Sequence, residues 1–224
     1  MTVMTTADVL GAETERPAIR YPFFDHVLGL LPLAVLLTVV FLLPGGESDV
    51  ARHFSALRSA LPDATAVMSW LSKYGNVPFY LGYAAIVLHA AKPEGKNGGR
   101  FVLRYLFLLA LLLLVCDMLK IWIGRPRPGV EGEYVMFSLR KAWHSFPSNH
   151  MTETTFSLLS LALFCRSRGI TVACGLSVAV MGLARLYLGR HHPTDLAGSA
   201  ALGSVWVYML WRWRCAADNA SKMP

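Results

Sequence analysis

Residues 101–119 read FVLRYLFLLALLLLVCDML, and this nearly uninterrupted apolar run is the clearest guide to the fold. A helix that crosses the hydrocarbon core of a bilayer needs roughly 20 mostly apolar residues, which is close to the length of this run. Five further apolar runs lie at residues 27–43, 77–91, 151–164, 170–188 and 196–213. At 54% apolar residues, the chain is also too hydrophobic for an ordinary soluble domain. The sequence therefore predicts an all-α fold, a polytopic membrane helix bundle with six transmembrane helices.

One segment differs from these runs because its apolar residues share a single helical face. Val50, Phe54 and Leu57 recur at helical spacing, while Arg52 occupies another face. Residues 48–60 are therefore expected to form an amphipathic helix that lies on the membrane surface.

Six spans place both ends of the chain on one side of the membrane. One bundle domain is expected at residues 27–213, between an N-terminal tail with an interfacial anchor at 1–26 and a C-terminal tail at 214–224. The side of the termini carries Lys92, Lys96, Arg100, Arg166, Arg168, Arg212, Arg214 and Lys222. By the positive-inside rule, the termini are expected in the cytoplasm of a bacterium. The protein would then lie in the inner membrane, with its opposite face toward the periplasm.

The net charge of +7 does not indicate a nucleic-acid partner, because the basic residues lie in short loops between apolar runs. The four cysteines lie in or beside apolar runs and form no paired motif. They indicate small buried side chains, and neither a disulfide framework nor a zinc site is expected. The sequence does not indicate an oligomeric state.

Polar residues gather in three clusters, each at the same end of a predicted span. The first cluster, Lys120 to Pro128, follows the third span. The second, Pro147 to His150, precedes the fourth span, and the third, Ala184 to Asp195, joins the fifth span to the sixth. Because these ends meet at one face of a bundle, we expect the three clusters to form one site.

The residue types in the clusters suit a phosphate group. Lys120, Arg127 and Arg185 offer cations that neutralise phosphoryl oxygens. Ser148 is suited to cap the helix of the fourth span, and the free N–H groups at such a helix start bind anions.

The third cluster also contains a histidine and a carboxylate four residues apart. Pro193 favours the first turn of a helix, so Asp195 is expected within reach of a ring nitrogen of His191. Such a contact fixes the tautomer and raises the basicity of the imidazole. With His150 as a second histidine, the sequence indicates phosphoryl transfer, although polar side chains at a membrane interface would look similar. It contains no carboxylate-rich or His/Cys cluster for Mg²⁺ or Zn²⁺, so no metal or other cofactor is expected.

Together the clusters resemble the motifs of the type 2 phosphatidic acid phosphatase (PAP2) superfamily. Lys120 to Pro128 is similar to the first motif, with six residues between the lysine and the Arg-Pro pair. Pro147 to His150 resembles the second motif, which is usually Pro-Ser-Gly-His. Arg185 to Asp195 resembles the third, with five residues between arginine and histidine and three between histidine and aspartate.

The resemblance implies a role for each matching residue. His191 would attack phosphorus and form a phosphohistidine, oriented by Asp195. His150 would protonate the leaving oxygen and later help to activate water. The phosphoryl oxygens would be held by Lys120, Arg127, Ser148, Arg185 and the backbone N–H of Asn149.

Two residues depart from the usual motifs. Asn149 replaces a glycine, which matters where the backbone needs a positive φ or a close approach. Ala184 replaces the serine that usually opens the third motif, and so removes one hydrogen-bonding group. Two arginines that flank motif residues are interpreted as interfacial anchors or headgroup contacts: Arg125 and Arg190.

Two carboxylates are secondary candidates. Asp117 precedes Lys120 by three residues on a helix and is interpreted as its structural partner. Glu153 lies inside a span one turn after His150, and an ionisable residue there is interpreted as functional. It is expected to tune His150 or to contact a substrate headgroup.

The expected function is a metal-independent membrane phosphatase that acts on a phosphomonoester or pyrophosphate of a lipid. The family's substrates include lipid A 1-phosphate, undecaprenyl pyrophosphate, phosphatidylglycerol phosphate and phosphatidic acid, and the sequence does not rank them. A phosphotransferase that passes the phosphoryl group to a second lipid is a related alternative. Vanadium-dependent haloperoxidases have a similar anion site, but they are soluble. A membrane transporter and a non-catalytic scaffold are the alternatives from other functional classes. A scaffold has little need for both histidines, and a transporter would place its ionisable residues near the middle of the membrane.

Overall fold

The computed structural model describes residues 21–90 and 96–220. Within these ranges the chain is helical and contains no strand, which confirms the all-α prediction. The helices are α1 Phe23–Phe41, α2 Gly46–Ala60, α3 Pro62–Tyr74, α4 Val77–Ala90, α5 Lys96–Ile123, α6 Asn149–Cys165, α7 Arg168–Tyr187 and α8 Pro193–Ala220. A short 3-10 helix, Lys141–Trp143, lies between α5 and α6.

Helix α6 is the centre of the bundle, since it contacts α1, α4, α5, α7 and α8. Its side chains Met151, Phe156 and Leu158 are fully buried. Thr152 and Thr155 are buried among them. A helix enclosed by other helices packs against protein rather than lipid, so it tolerates small polar residues along its length.

Three helices are long and apolar enough to span a membrane: α1, α7 and the part of α5 from Gly99 to Ile123. The count of six spans is not confirmed and stays a prediction. Helices α4 and α6 have 14 and 17 residues, fewer than the roughly 20 that a bilayer requires. Helix α8 has 28 residues, but small and polar side chains are frequent in its first half.

Helix α2 is the amphipathic helix that the sequence predicts, but its apolar face packs against protein. Val50 and Phe54 are buried in a core that they share with residues of α1 and α7. The Phe54 ring meets Tyr187 of α7 edge-on, with 5.9 Å between the ring centroids. Burial against a bundle and burial in lipid produce the same helical period, so the sequence alone does not distinguish them.

Helix α5 is longer than the apolar run that predicts it. It continues to Ile123, so Lys120 lies in its last turn and not in the following loop. Gly124 ends the helix with a φ of +56°, and a Cβ at this position would lie 1.7 Å from the carbonyl oxygen of Val135. Only glycine suits this turn, which lies inside the first motif cluster.

Helices α1 and α7 touch backbone to backbone. A Cβ added to Gly175 of α7 would lie 2.4 Å from the carbonyl oxygen of Gly29 in α1. Small residues at such a crossing allow the close approach that membrane helices use for packing.

The structure describes most of the predicted C-terminal tail but little of the predicted N-terminal tail. Helix α8 continues past Trp213 to Ala220, where the sequence indicated a C-terminal tail. Residues 1–20, which hold most of the predicted N-terminal tail, lie outside the described residues.

Candidate active site

Three segments meet at one end of the bundle, where the sequence places the three motif clusters. They are the loop after α5, the start of α6 and the end of α7 with its connection to α8. Arg127, His150 and Arg185 come one from each segment and line a single cavity of about 240 Å³.

A fourth element lines this cavity although the sequence does not single it out. Helix α3 contributes Ser69, Ser72 and Lys73 to the wall. Helix α3 reaches the site because it packs against α7, and this long-range contact leaves no mark in the sequence. Arg190 also lines the cavity, so it is more than an interfacial anchor, and its interpretation as a headgroup contact stays a prediction.

The cavity wall carries four cations and, among the described residues, no carboxylate. Burial, and then the neighbouring charge of Arg190, lower the pKa of Arg127. The Nε atoms of Arg127 and Arg185 are buried and have no hydrogen-bond partner within the described chain. Buried donors are almost always paired in folded proteins, so unpaired guanidinium donors at a cavity indicate an anion site.

His191 is held at both ring nitrogens. Its Nδ1 lies 2.6 Å from the carbonyl oxygen of Ser145, and its Nε2 lies 3.1 Å from Nη2 of Arg185. A carbonyl only accepts and a guanidinium only donates, so the ring is neutral, with its proton on Nδ1 and a lone pair on Nε2. His191 is 3% exposed and does not line the cavity, whereas its partner Arg185 does.

Burial and the charge of Arg185 lower the pKa of His191 well below its ordinary value. The hydrogen bond to Ser145 opposes this shift, while Arg127 and Lys120 add to it. The neutral ring that the hydrogen bonds require is therefore also the form that the surrounding charges favour.

Asp195 lies in the first turn of α8, which begins at Pro193 as the sequence predicts. Its carboxylate lies near His191, as the sequence predicts, but the 3.8 Å between Oδ2 and Nδ1 is too long for a hydrogen bond. Asp195 instead accepts hydrogen bonds from the Ser145 hydroxyl at 2.6 Å and from the His192 backbone N–H at 2.8 Å. The carboxylate reaches His191 through Ser145, because the carbonyl of that serine occupies Nδ1.

Arg125 is neither the interfacial anchor nor the headgroup contact that the sequence indicated, because its guanidinium binds groups inside the protein. Its Nη1 lies 2.7 Å from Asp195 and its Nη2 lies 2.7 Å from Glu47. Nη1 also donates to the hydroxyl of Thr194. A fully buried carboxylate needs a paired charge, and Arg125 supplies it to Asp195. Glu47, at the start of α2, has no sequence signal that connects it to the motifs.

Ser148 caps α6, as the sequence predicts. Its Oγ accepts from the N–H of Met151, and its own N–H donates to the hydroxyl of Ser199 at 2.7 Å. Asn149 is the first residue of α6 and has no positive φ, so its replacement of glycine costs no backbone strain. His150 is the second residue of α6, and its ring makes no hydrogen bond within the described chain.

The two secondary carboxylates have partners inside the protein. Asp117 is 3.8 Å from Nζ of Lys120, and it accepts a hydrogen bond from Asn149 at 2.7 Å. Glu153 accepts a hydrogen bond from the Tyr80 hydroxyl, and no contact in the described residues joins it to the histidine one turn earlier.

The model of one protein family matches this chain over residues 101–218, more than half of its length, and this range includes all three motif clusters. The chain belongs to the PAP2 superfamily. The resemblance of the motifs is thereby confirmed at the level of the family.

The chain is similar to three bacterial proteins whose names state a phosphatase activity. The lipid A 1-phosphatase of Rhizobium johnstonii is 29% identical over 192 residues, which cover 80% of this chain and 75% of that protein. Undecaprenyl-diphosphatase BcrC of Bacillus subtilis is 25% identical over 164 residues, 73% of this chain and 78% of that one. The crystal structure of a transmembrane PAP2-type phosphatidylglycerolphosphate phosphatase from Bacillus subtilis superposes with a TM-score of 0.57. It covers 85% of this chain and 96% of its own, and at 21% identity it shows the fold.

This PAP2 protein is a bacterial multi-pass membrane protein and a phosphatase, a hydrolase of phosphoric monoesters or pyrophosphates. Membership of the family removes the transporter and scaffold alternatives. Within the described ranges, no group of three His, Cys, Asp or Glu side chains is placed to hold a metal ion. Ala184, which replaces the usual serine of the third motif, is fully buried in α7.

Proposed function

We propose that this PAP2 protein removes phosphate from a lipid through a phosphohistidine at His191. The observation that carries the proposal is that both ring nitrogens make hydrogen bonds, Nδ1 to the Ser145 carbonyl and Nε2 to Arg185. The Nε2 lone pair is thereby directed toward Arg185, which lines a cationic cavity. A nucleophile needs its free electron pair at a fixed position beside the groups that bind the electrophile.

The transferred phosphoryl group would lie among Arg127, Arg185 and Lys120. The unpaired Nε donors of the two arginines supply hydrogen bonds that no other described group takes. The start of α6 adds the N–H of Asn149 and the positive end of a helix dipole. Charge that develops on the equatorial oxygens in the transition state is stabilised most by such prearranged donors. Ser148 has a proton left to donate, although its Oγ already serves as the helix cap.

The first half of the reaction begins when Arg185 releases Nε2 and turns to a phosphoryl oxygen. Nε2 of His191 then forms a bond to phosphorus as the bond from phosphorus to the leaving oxygen breaks. In the free protein, burial and the charges of Arg185 and Lys120 lower the pKa of His150 to about 4. The negative charge of the bound phosphate offsets those cations and favours protonated His150, which lines the cavity and then gives its proton to the leaving oxygen. The Nδ1–H of His191 keeps donating to the Ser145 carbonyl, which stabilises the positive charge that the ring acquires.

The second half returns the enzyme to its starting state. His150, now neutral, takes a proton from a water molecule that attacks phosphorus. The bond between phosphorus and Nε2 breaks, inorganic phosphate leaves, and His191 recovers its lone pair.

The proposed substrate is a lipid with a terminal phosphate or pyrophosphate. The apolar helices below the cavity and the substrates named for the relatives support this class. Lipid A 1-phosphate, undecaprenyl pyrophosphate, phosphatidylglycerol phosphate and phosphatidic acid are the candidates. Phosphate release from a panel of these four lipids tests the proposal, and a purified protein that hydrolyses none of them would refute it.

A second arm of the same experiment tests the intermediate. Rapid quenching with a ³²P-labelled lipid should leave label on a histidine, and peptide mapping should assign it to His191. Label on His150 would reverse the two roles.

The proposed orientation has the cavity facing away from the cytoplasm, with six spans in one domain at residues 27–213. Single cysteines at Gly98 and Gly132 in a cysteine-free chain test it, because the two positions lie at opposite ends of α5 and its following loop. An impermeant thiol reagent should label position 132 in intact cells and position 98 only after lysis. Labelling of both positions from outside would contradict the orientation.

A further inference from the structure

We infer that Glu47 and Arg125 are positioning residues that hold the nucleophile His191 through Asp195, so that the start of α2 forms part of the catalytic apparatus. The inference rests on the proposed function, in which His191 attacks phosphorus. The geometry shows a continuous series of short polar contacts from α2 to the imidazole.

The first part of the series joins three charged groups. Oε2 of Glu47 lies 2.7 Å from Nη2 of Arg125, and Nη1 of Arg125 lies 2.7 Å from Oδ1 of Asp195. The guanidinium thus presents one terminal nitrogen to each carboxylate. Only arginine has a planar fork that serves two carboxylates at once, so lysine would have to abandon one of them.

The second part leads from the carboxylate to the ring. The other oxygen of Asp195 accepts from the Ser145 hydroxyl at 2.6 Å, and the carbonyl of the same serine accepts from His191 Nδ1 at 2.6 Å. The backbone N–H of Ser145 donates to the carbonyl of Arg125 at 3.0 Å. Arg125 therefore fixes Ser145 twice, directly through its backbone and indirectly through Asp195.

Glu47 also holds the helix that carries Asp195. Its Oε1 accepts from the backbone N–H of Thr194 at 2.9 Å and from the hydroxyl of the same residue at 2.6 Å. Burial alone would raise the pKa of Glu47, but the hydrogen bonds from Thr194 and the charge of Arg125 lower it. Glu47 therefore stays ionised as it anchors both Arg125 and the first turn of α8.

A second ion pair on α2 shows what an ordinary surface contact looks like. Asp49 and Arg52 pair across one helical turn, with side chains that are 34% and 77% exposed. In the Glu47 series the side chains of Arg125 and Asp195 are 14% and 0% exposed. Exposed pairs contribute little, whereas a buried pair that loses one member leaves a charge without a partner.

Loss of the series should disturb the ring and leave the phosphate site intact. Arg127 and Arg185, which hold the phosphoryl group, do not depend on Glu47. A displaced nucleophile slows the chemical step, since a shift of about 1 Å costs up to about 100-fold in rate. The expected signature is a lower kcat with an unchanged KM.

The experiment compares Glu47→Gln, Arg125→Gln and Arg125→Lys with the matched control Asp49→Asn. Purified proteins hydrolyse phosphatidic acid in detergent micelles, and inorganic phosphate serves as a competitive probe of the anion site. Glu47→Gln should lose roughly 10-fold in kcat and Arg125→Gln about 100-fold, with unchanged KM and phosphate inhibition. Arg125→Lys should recover part of the loss, because it restores a cation beside Asp195, and Asp49→Asn should match the wild type.

A double variant completes the test. Glu47→Gln combined with Arg125→Gln should be no slower than Arg125→Gln alone, because the two residues act in series. Multiplied losses, a raised KM at constant kcat, or a Glu47→Gln protein as fast as Asp49→Asn would each overturn the inference. If Arg125→Gln does not fold, Glu47→Gln decides, since glutamine keeps an acceptor for Thr194. A wild type that is inactive on every lipid phosphate would instead defeat the proposed function.

Discussion

His150 and His191 serve the same proposed reaction, but the protein holds them in opposite ways. His191 is buried, and both of its ring nitrogens make hydrogen bonds, one of them with Arg185. His150 lines the cavity and makes no hydrogen bond within the described chain. A fixed neutral ring suits a nucleophile, whose lone pair must meet phosphorus at one angle. An unanchored ring beside the cavity suits a proton carrier, which must serve the leaving oxygen first and water afterwards.

The largest effect should separate the two histidines directly. His191→Ala removes the nucleophile and should lower turnover by more than about 10⁴-fold, as removal of a catalytic nucleophile does in hydrolases. His150→Ala should also turn over slowly, yet it should still form phosphoenzyme from p-nitrophenyl phosphate, because that leaving group needs no proton. Quench-flow labelling of both variants measures this, with His53→Ala on the exposed side of α2 as control. Equal loss of phosphoenzyme in the two variants would remove the contrast.

The pH dependence should sharpen the same contrast. Neutral His191 attacks, so kcat/KM falls as the pH drops through the pKa of this residue. Because burial and Arg185 lower that pKa, the acid limb should lie well below the usual histidine range near pH 6.5. Phosphoenzyme formation in His150→Ala should keep the limb at the same pH. A limb that moves in this variant would belong to His150 instead.

A smaller effect is expected when the hydrogen bond between Ser72 and Arg185 is removed. Ser72 accepts a hydrogen bond from Nη1 of this arginine at 2.7 Å, while Ser69 lines the same cavity without such a contact. Ser72→Ala leaves a buried donor unpaired and should lower kcat/KM by roughly 10-fold. Ser69→Ala is the matched control. Steady-state kinetics that show equal losses would mean that Arg185 does not need the anchor.

No effect at all is expected from chelation. Cations of the chain itself neutralise the phosphate in the proposed mechanism, so EDTA should leave hydrolysis unchanged. A protein that loses activity in EDTA and regains it with Mg²⁺ would show that the arginines and Lys120 do not suffice.

Local signals in the sequence predicted much of this site. Ser148 as a helix cap and Pro193 as a helix start depend only on neighbouring residues, and both are confirmed. The meeting of Arg127, His150 and Arg185 followed from the common end of their spans, and it is also confirmed.

The residues that the sequence missed are joined by contacts between distant segments. Arg125 is a basic residue at the end of a predicted span, where interfacial anchors are common, and only the fold shows that it faces Asp195 and Glu47. Ser145 lies just before the second motif, so its position in the sequence could have suggested that it is near the site. The direction of its carbonyl toward His191 could not be predicted from the sequence. The span count stays open for a related reason, since a helix such as α6 that is enclosed by protein need not be as apolar as one that faces lipid.

The glycine contact between α1 and α7 also constrains the position of Arg185, which α7 carries. Gly29 and Gly175 bring the two backbones together with no side chain to absorb a displacement. Arg185 lies on the same helix as Gly175, about 15 Å further along its axis. A shift of α1 would therefore displace α7 and, with it, Arg185 in the cavity wall. A helix that contributes no side chain to the cavity thus constrains the helix that carries one of the cavity's arginines.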